Sequence, residues 1–119
     1  MSLLEEFARL AEVEFADIVV QAGSIGTKLR ILLCDSSYID VWVSEKLAGR
    51  FGFHWERRHL DGSMFRYDNF PDTNWQGLST FPYHFHDGTY EHVLEGPFSL
   101  GCREALREFL EFARQRLCS

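Results

Sequence analysis

The sequence predicts an α+β protein: an antiparallel sheet of about five strands with an N-terminal and a C-terminal helix packed on it. Apolar residues recur at helical spacing near both ends of the chain. Between these ends, apolar and polar residues alternate with the two-residue period of a half-buried strand. An Asp-Gly pair at positions 61 and 62 is a strong hairpin signal between two such segments. The length of 119 residues fits one domain, over 1–119.

The two helices are predicted over residues 2–14 and 99–117. Ser2 is a suitable N-cap for the first helix, and Glu5 occupies the position that completes a capping box. The apolar face of this helix holds Leu3, Phe7, Leu10 and Ala11. The apolar stripe of the last helix holds Leu106, Phe109, Leu110, Ala113 and Leu117. Both helices are amphipathic, so each is expected to cover the sheet with one face.

Three apolar segments rich in β-branched residues are predicted as consecutive antiparallel strands, over 16–22, 28–34 and 38–45. Glycines and an Asp-Ser-Ser string separate them. In the third segment, the apolar residues Ile39, Val41 and Val43 alternate with Tyr38, Asp40 and Trp42. This alternation indicates a strand with one buried face and one face towards solvent.

The clearest hairpin is predicted over residues 51–69. Its core face is expected to hold Phe53, Trp55, Phe65 and Tyr67. The opposite face then holds His54, Glu56, Arg66 and Asp68, in the register that the alternation favours. Residues 70–82 lack periodicity and are predicted as a functional or mobile loop. In the short extended segment that follows, His84 and His86 point to the same side.

Charge and cysteine content limit the function. A net charge of −6 argues against a protein that coats nucleic acid. Cys34, Cys102 and Cys118 form no CxxC motif, so free thiols in a reducing cytosol are expected. Cys102 begins a helix, where a thiolate is stabilised, although a buried apolar cysteine is far more common. The N-terminal segment lacks the basic start of a signal peptide, and no apolar run approaches a membrane span. We expect a cytoplasmic protein without membrane partners.

The candidate catalytic residues are His84, His86 and Asp68. Two imidazoles on one side of a strand can take and return a proton near neutral pH, and a carboxylate can orient one of them. This chemistry suits metal-free cleavage of RNA, in which the 2′-hydroxyl attacks the neighbouring phosphate. An arginine would stabilise the charge that develops there. The candidate substrate-binding residues are Arg66, Tyr67, Asn69 and His54.

The same residues allow other interpretations. Asp68, His84 and His86 could bind a metal ion, because His-x-His on a strand presents two imidazoles to one side. A further ligand could come from Asp87 or His92. Surface or hydrogen-bonded histidines without a ligand are equally compatible with this spacing. An isolated Asp-Asn pair is typical of an Asx turn that ends a strand.

Two strings, Tyr67-Asp68-Asn69-Phe70-Pro71 and Phe81-Pro82-Tyr83-His84-Phe85-His86, resemble the motifs of the TumE family of small bacterial and archaeal proteins. The resemblance covers residues 28–92. Two differences stand out. Family loops often carry histidine directly after the first proline, where this chain has Asp72-Thr73-Asn74. The residue before the first motif histidine is often another histidine and is Tyr83 here.

The resemblance implies a cytoplasmic toxin that is inhibited by a cognate antitoxin. Ribonuclease activity is commonly supposed for such toxins. We therefore expect the toxin component of a toxin–antitoxin pair, which cleaves RNA at the His/Asp cluster without a cofactor. One alternative is a non-catalytic binding or regulatory protein, and a second is a metal-dependent hydrolase at the same cluster. The expected partners are an antitoxin protein and RNA.

Overall fold

The chain folds into two layers, an antiparallel sheet and a pair of helices packed on one of its faces. A computed structural model describes residues 1–117. The elements are α1 (Leu3–Glu14), β1 (Val19–Ile25), β2 (Lys28–Leu33), β3 (Tyr38–Val43), β4 (Phe51–Arg57), β5 (Ser63–Asp68), a 3₁₀ helix (Thr73–Trp75), β6 (His84–Gly88), β7 (Val93–Glu95) and α2 (Cys102–Leu117). The strands lie in chain order in one sheet, and all pairs are antiparallel. The predicted α+β architecture is confirmed, with seven strands in place of about five.

The extra strands follow the long loop. β6 and β7 have five and three residues, respectively. Segments this short show little periodicity, so neighbouring strands decide whether they join a sheet. β6 pairs with β5 and carries β7 at the edge of the sheet.

The first helix has the predicted N-terminus. The Ser2 hydroxyl accepts a hydrogen bond from the Glu5 amide, and the Glu5 carboxylate accepts one from the Ser2 amide, which completes the capping box. After α1 ends at Glu14, the buried Ile18 still belongs to the connecting turn. β1 therefore begins at Val19 and not at residue 16 as predicted.

The last helix begins at Cys102, later than the predicted start at residue 99. The preceding segment is held outside the helix by two side chains. The Tyr67 hydroxyl donates to the carbonyl oxygens of Phe98 and Ser99, at 3.1 Å each. The carboxylate of Glu108 accepts a hydrogen bond from the Ser99 amide at 2.6 Å. These bonds fix residues 98 and 99 against the sheet.

Both helices bury their apolar faces against the same side of the sheet. The buried helix residues are Phe7, Leu10, Ala11, Ala105, Leu106, Phe109, Leu110 and Ala113. The hairpin residues Phe53, Trp55, Phe65 and Tyr67 are buried with them, as predicted. In the β4–β5 pair, Phe53 lies opposite Tyr67, and Trp55 lies opposite Phe65. This register turns the polar residues of the hairpin to the face that α1 and α2 leave open.

The cysteines of the described chain are reduced. Cys34 is exposed and Cys102 is partly buried, and neither forms a disulfide. Cys118 lies outside the described residues. Burial raises the pKa of the Cys102 thiol to about 12, so a thiolate at the start of α2 is not formed near neutral pH. Over residues 1–117, no helix has the length and apolar character needed to cross a bilayer.

A glycine at the base of the 97–101 segment tests this packing. A Cβ at Gly96 would lie 2.9 Å from Cε1 of Tyr67, whereas a Cβ at Gly77 would meet nothing within 4 Å. We predict that Gly96→Ala lowers the free energy of unfolding by about 1–3 kcal/mol, because the fully buried Tyr67 ring has little room to move. Gly77→Ala is the control. Urea unfolding measures both, and equal effects would contradict the prediction.

Candidate functional site

The open face of the sheet carries polar side chains in rows that run across the strands. One row holds Arg30, Asp40, His54, Arg66 and His86. The next row holds Trp42, Gly52, Asp68 and His84. A third row holds Tyr38, Glu56 and Met64. The opposite face predicted for His54, Glu56, Arg66 and Asp68 is therefore confirmed, and β6 adds both histidines to it.

Three candidate catalytic residues meet on this face. One potential ligand atom from each of Asp68, His84 and His86 lies within 4.8 Å of the other two. Nε2 of His84 is 3.4 Å from Oδ1 of Asp68. The three residues are only 2–3% exposed. Buried polar side chains that converge in this way are uncommon in a scaffold, because each costs desolvation energy.

The hydrogen bonds of the two imidazoles fix their orientation. Nδ1 of His84 is 3.1 Å from the Pro82 carbonyl oxygen, and Nδ1 of His86 is 2.7 Å from the Tyr90 carbonyl oxygen. Because a carbonyl oxygen only accepts hydrogen bonds, each Nδ1 carries a proton and donates it. In the neutral ring, Nε2 is then an unprotonated acceptor. Burial lowers the pKa of His86, which favours this neutral form.

Asp68 also ends its strand in the way its sequence suggests. Oδ1 accepts a hydrogen bond from the Phe70 amide at 3.0 Å, which is the Asx turn expected of an Asp-Asn pair. Oδ2 accepts one from Nε of Arg66 at 2.8 Å. The turn and the arginine therefore hold the carboxylate in place beside His84. The structural and the functional interpretations of Asp68 are compatible.

Two aromatic side chains from loops cover the imidazoles. The Trp75 ring packs against both, with centroid distances of 6.1 Å to His84 and 6.2 Å to His86. The Tyr90 ring stacks on His86 at 4.6 Å. Nε1 of Trp75 is buried and has no hydrogen-bond partner within residues 1–117. Buried donors are normally hydrogen-bonded, so this N–H is available to an ordered water or to a ligand.

Arg66 and His54 border two clefts next to the cluster. A cleft of about 280 Å³ is lined by both residues together with Trp42 and Gly52, among others. A second cleft of about 390 Å³ is lined by both residues and Tyr90, among others. Burial lowers the pKa of His54. Two of the predicted substrate-binding residues, Arg66 and His54, are thus beside the cluster.

The other two predicted substrate-binding residues lie elsewhere. Tyr67 is fully buried on the helix side of the sheet, with its hydroxyl bonded to the 98–99 backbone. The Asn69 amide is occupied by the backbone: Oδ1 accepts from the Phe51 amide at 2.9 Å, and Nδ2 donates to the Gly49 carbonyl at 2.6 Å. Both residues position strands, and the structure does not bring them to the cluster. A substrate contact for either is not supported.

The proposed additional metal ligands are also apart from the cluster. Asp87 lies opposite Phe65, on the helix side of the sheet. His92 is exposed, and its Nδ1 lies 3.1 Å from the Asp87 carbonyl oxygen. His59, another exposed histidine, contacts the Ser36 carbonyl oxygen. Among the described residues, Asp68, His84 and His86 are the group that could hold a metal ion.

Several residues of the site were not predicted. Trp42 stands on the open face beside Gly52 and stacks on Phe70 at 5.2 Å. The strand alternation already placed Trp42 on the solvent side, and a tryptophan there was the signal that could have identified it. Trp75 and Tyr90 reach the cluster from loops, where no periodicity indicates direction.

Comparison with known proteins adds the family. A family model described as "Toxin TumE" matches residues 2–117. The match includes both helices and thus extends beyond residues 28–92, where the motifs lie. No curated protein and no solved structure matches the chain.

A carboxylate on the open face gives a pH prediction. Hydrogen bonds from Arg58 and His54 lower the pKa of Glu56 to about 2 from an ordinary 4.5. A lowered folded-state pKa stabilises the fold above pH 4.5, and this contribution is lost as the pH falls towards 2. Arg58 is exposed, so solvent screening reduces the effect. Between pH 6 and pH 3, wild type should lose about 1–2 kcal/mol more stability than Glu56→Gln.

Urea unfolding at several pH values makes this measurement. Glu91→Gln, which removes an exposed carboxylate, is the control for net charge. Parallel stability profiles for wild type and Glu56→Gln would show that Glu56 is not the group responsible.

Proposed function

The chain belongs to the TumE toxin family, and from this premise we propose that it cleaves RNA at Asp68, His84 and His86. The observation that carries the proposal is the convergence of these three side chains, within 4.8 Å, on the open face of the sheet. Such a cluster can remove a proton from an attacking oxygen. A toxin acts on a substrate whose loss stops growth, and RNA is such a substrate. RNA also carries its own nucleophile, the 2′-hydroxyl.

The reaction requires two proton transfers. The 2′-oxygen loses its proton and forms a bond to phosphorus, while the bond from phosphorus to the 5′-oxygen breaks and that oxygen gains a proton. With each Nδ1 bonded to a carbonyl oxygen, proton transfer falls to Nε2 of each ring. His86, whose pKa burial lowers, accepts the 2′ proton, and a protonated His84 gives one to the 5′-oxygen. Asp68, with Oδ1 at 3.4 Å from Nε2 of His84, stabilises this imidazolium. The guanidinium of Arg66, fixed by Asp68 through Nε, stabilises the charge on the phosphoryl oxygens.

The open face also offers contacts for a single strand of RNA. The stacked pair of Trp42 and Phe70 lies at one end of the Asp68 row, and stacking on aromatic rings binds bases without regard to sequence. Four cationic side chains line this face against three carboxylates: Lys28, Arg30, Arg58 and Arg66 against Asp40, Glu56 and Asp68. The small positive excess favours a local contact with phosphate and not the coating of a long nucleic acid.

The burial of the cluster defines how a substrate must approach. Tyr90 is 56% exposed although its ring stacks on His86. It lies in the short connection between β6 and β7, with the 390 Å³ cleft beside it. Displacement of the Tyr90 ring opens the His86 face to this cleft. A phosphate that binds there also meets Arg66.

Membership of a toxin family suggests that an antitoxin protein is a partner. We propose that this chain acts in the cytoplasm, where the RNA substrate and the antitoxin are both present. Binding of the antitoxin over the open face would block the cluster directly.

The catalytic assignment predicts the behaviour of single variants. His84→Ala, His86→Ala and Asp68→Asn should each lower the rate of RNA cleavage by the purified protein about 100-fold or more. They should also relieve growth inhibition on induced expression. His92→Ala removes an exposed histidine from the same part of the chain and is the control. An RNA with a 2′-deoxy nucleotide at the cleaved position should resist cleavage, because it lacks the attacking 2′-hydroxyl.

Circular dichroism shows which variants are folded. Folded His84→Ala and His86→Ala proteins that remain as toxic as wild type would refute the assignment. Tight binding of RNA without any cleavage by wild type would favour the non-catalytic alternative.

The unpaired indole of Trp75 gives a separate prediction. Trp75→Phe retains an aromatic ring beside the imidazoles and removes the buried N–H. Loss of an unpaired buried donor should leave the free energy of unfolding unchanged or raise it by about 1 kcal/mol. RNA cleavage should fall about tenfold, because the substrate loses a hydrogen bond. A variant with full activity would show that the indole N–H does not meet the substrate.

A further inference from the structure

An ionised Asp68 beside a neutral His84 presents an electrostatic conflict. With Nδ1 of His84 donating to the Pro82 carbonyl, the lone pair of Nε2 faces Oδ1 of Asp68 at 3.4 Å. Two acceptors that face each other in a buried site repel, and the cost is high where water is excluded. A cation between them removes the conflict. That cation is either a proton on the imidazole or a metal ion.

The hydrogen bonds around the cluster are those of metal ligands. A histidine that binds a metal through one ring nitrogen usually donates its other N–H to a carbonyl or a carboxylate, which orients the ring. Both histidines do this, with Nδ1 bonded to the carbonyl oxygens of Pro82 and Tyr90. The carboxylate of Asp68 is likewise fixed, by Arg66 through Nε and by the Phe70 amide. The supporting interactions are in place on all three side chains.

The distances are close to those of a coordination sphere. Tetrahedral ligands at about 2.1 Å from an ion lie about 3.4 Å from one another. Nε2 of His84 and Oδ1 of Asp68 are already 3.4 Å apart. All three ligand atoms lie within 4.8 Å of one another, so the wider spacings must shorten towards 3.4 Å when an ion binds.

The donor atoms select the class of ion. Two imidazole nitrogens and one carboxylate suit Zn²⁺ and its first-row neighbours, whereas Mg²⁺ and Ca²⁺ prefer sites built from oxygen. Three protein ligands also leave one position of a four-coordinate ion for water or substrate, as in catalytic zinc sites. Trp75 packs against both imidazoles and offers a buried N–H without an acceptor. An oxygen in the free position would supply one.

We propose that Asp68, His84 and His86 bind one first-row divalent metal ion, with Zn²⁺ as the best match to their donor atoms. The binding site stands on geometry alone, while its use in catalysis rests on the proposed function. When the ion is bound, both Nε2 atoms are engaged and cannot carry protons. In this metal form a bound hydroxide would take the 2′ proton in place of the rings, because coordination lowers the pKa of water towards neutrality. The bound water so formed would return a proton to the 5′-oxygen. Arg66 keeps its role at the phosphate.

The test measures metal binding without RNA. The full chain is expressed without a histidine tag, stripped with chelator, and titrated with Zn²⁺ by calorimetry. We expect one ion per chain, and affinity lower by about 100-fold or more in His84→Ala, His86→Ala and Asp68→Asn. His92→Ala and His59→Ala remove exposed histidines and should bind Zn²⁺ as wild type does. Zn²⁺ should also raise the Tm of wild type and not that of the three cluster variants.

Two results would overturn the metal site. One is the absence of saturable binding in wild type, and the other is an equal loss in the control variants, which would indicate adventitious binding at surface histidines. If the cluster variants do not fold, the visible spectrum of wild type loaded with Co²⁺ shows whether the metal site exists. Visible bands of a four-coordinate ion with nitrogen ligands support the site, and the spectrum of the hydrated ion overturns it.

Assays of RNA cleavage separate this proposal from the proposed function. Cleavage that persists at full rate in stripped protein with chelator, together with no metal binding, overturns the metal site and leaves the ribonuclease intact. Metal bound at the cluster with no cleavage of RNA in any metal form supports the site and overturns the ribonuclease.

Discussion

The pairing of β5 with β6 is the constraint on which the site depends. This register sets Asp68 opposite His84 and Arg66 opposite His86. A shift by one residue would turn both imidazoles into the hydrophobic core and expose Phe85, because side chains alternate between the two faces. The core prevents such a shift. Phe85 is 4% exposed and packs against Phe65, with further aromatic rings from the segment before α2 and from α2 itself.

The two faces of the sheet differ in the kind of side chain that they bury. The helix side is dry and rich in aromatic rings, so its stability comes from buried apolar area. The open side buries Asp68, His84 and His86, which costs desolvation energy and returns little unless each is paired. Hydrogen bonds offset this cost: the histidines donate to backbone carbonyls, and Asp68 accepts from the Phe70 amide and from Arg66. Polar groups held so firmly in a small domain favour a role in chemistry over a role in folding.

Alternation along individual strands was sufficient to predict the fold and half of the site. It placed Phe53 and Trp55 in the core, and His54 and Arg66 on the other face, because the period of a strand is local information. Pairing between distant segments is not local. Nothing in residues 70–82 indicates that β6 returns beside β5, nor that Trp75 and Tyr90 from separate loops cover the same imidazoles. Tyr67 and Asn69 stand next to Asp68 in sequence, but the first points into the core and the second binds backbone.

The contact between His84 and Asp68 distinguishes the chemistries that the site could support. An imidazolium at His84 would satisfy Oδ1 of Asp68 and would make the pair a buried ion pair. Until a substrate binds, it would leave the indole N–H of Trp75 without an acceptor among residues 1–117. A metal ion engages both Nε2 atoms and the carboxylate together, and an oxygen on that ion can accept from the indole. One ion thus engages together the three side chains of the cluster, whereas a single proton joins only His84 and Asp68. Both chemistries therefore depend on the same contact between His84 and Asp68, and metal binding by the wild-type chain decides which of them the cluster supports.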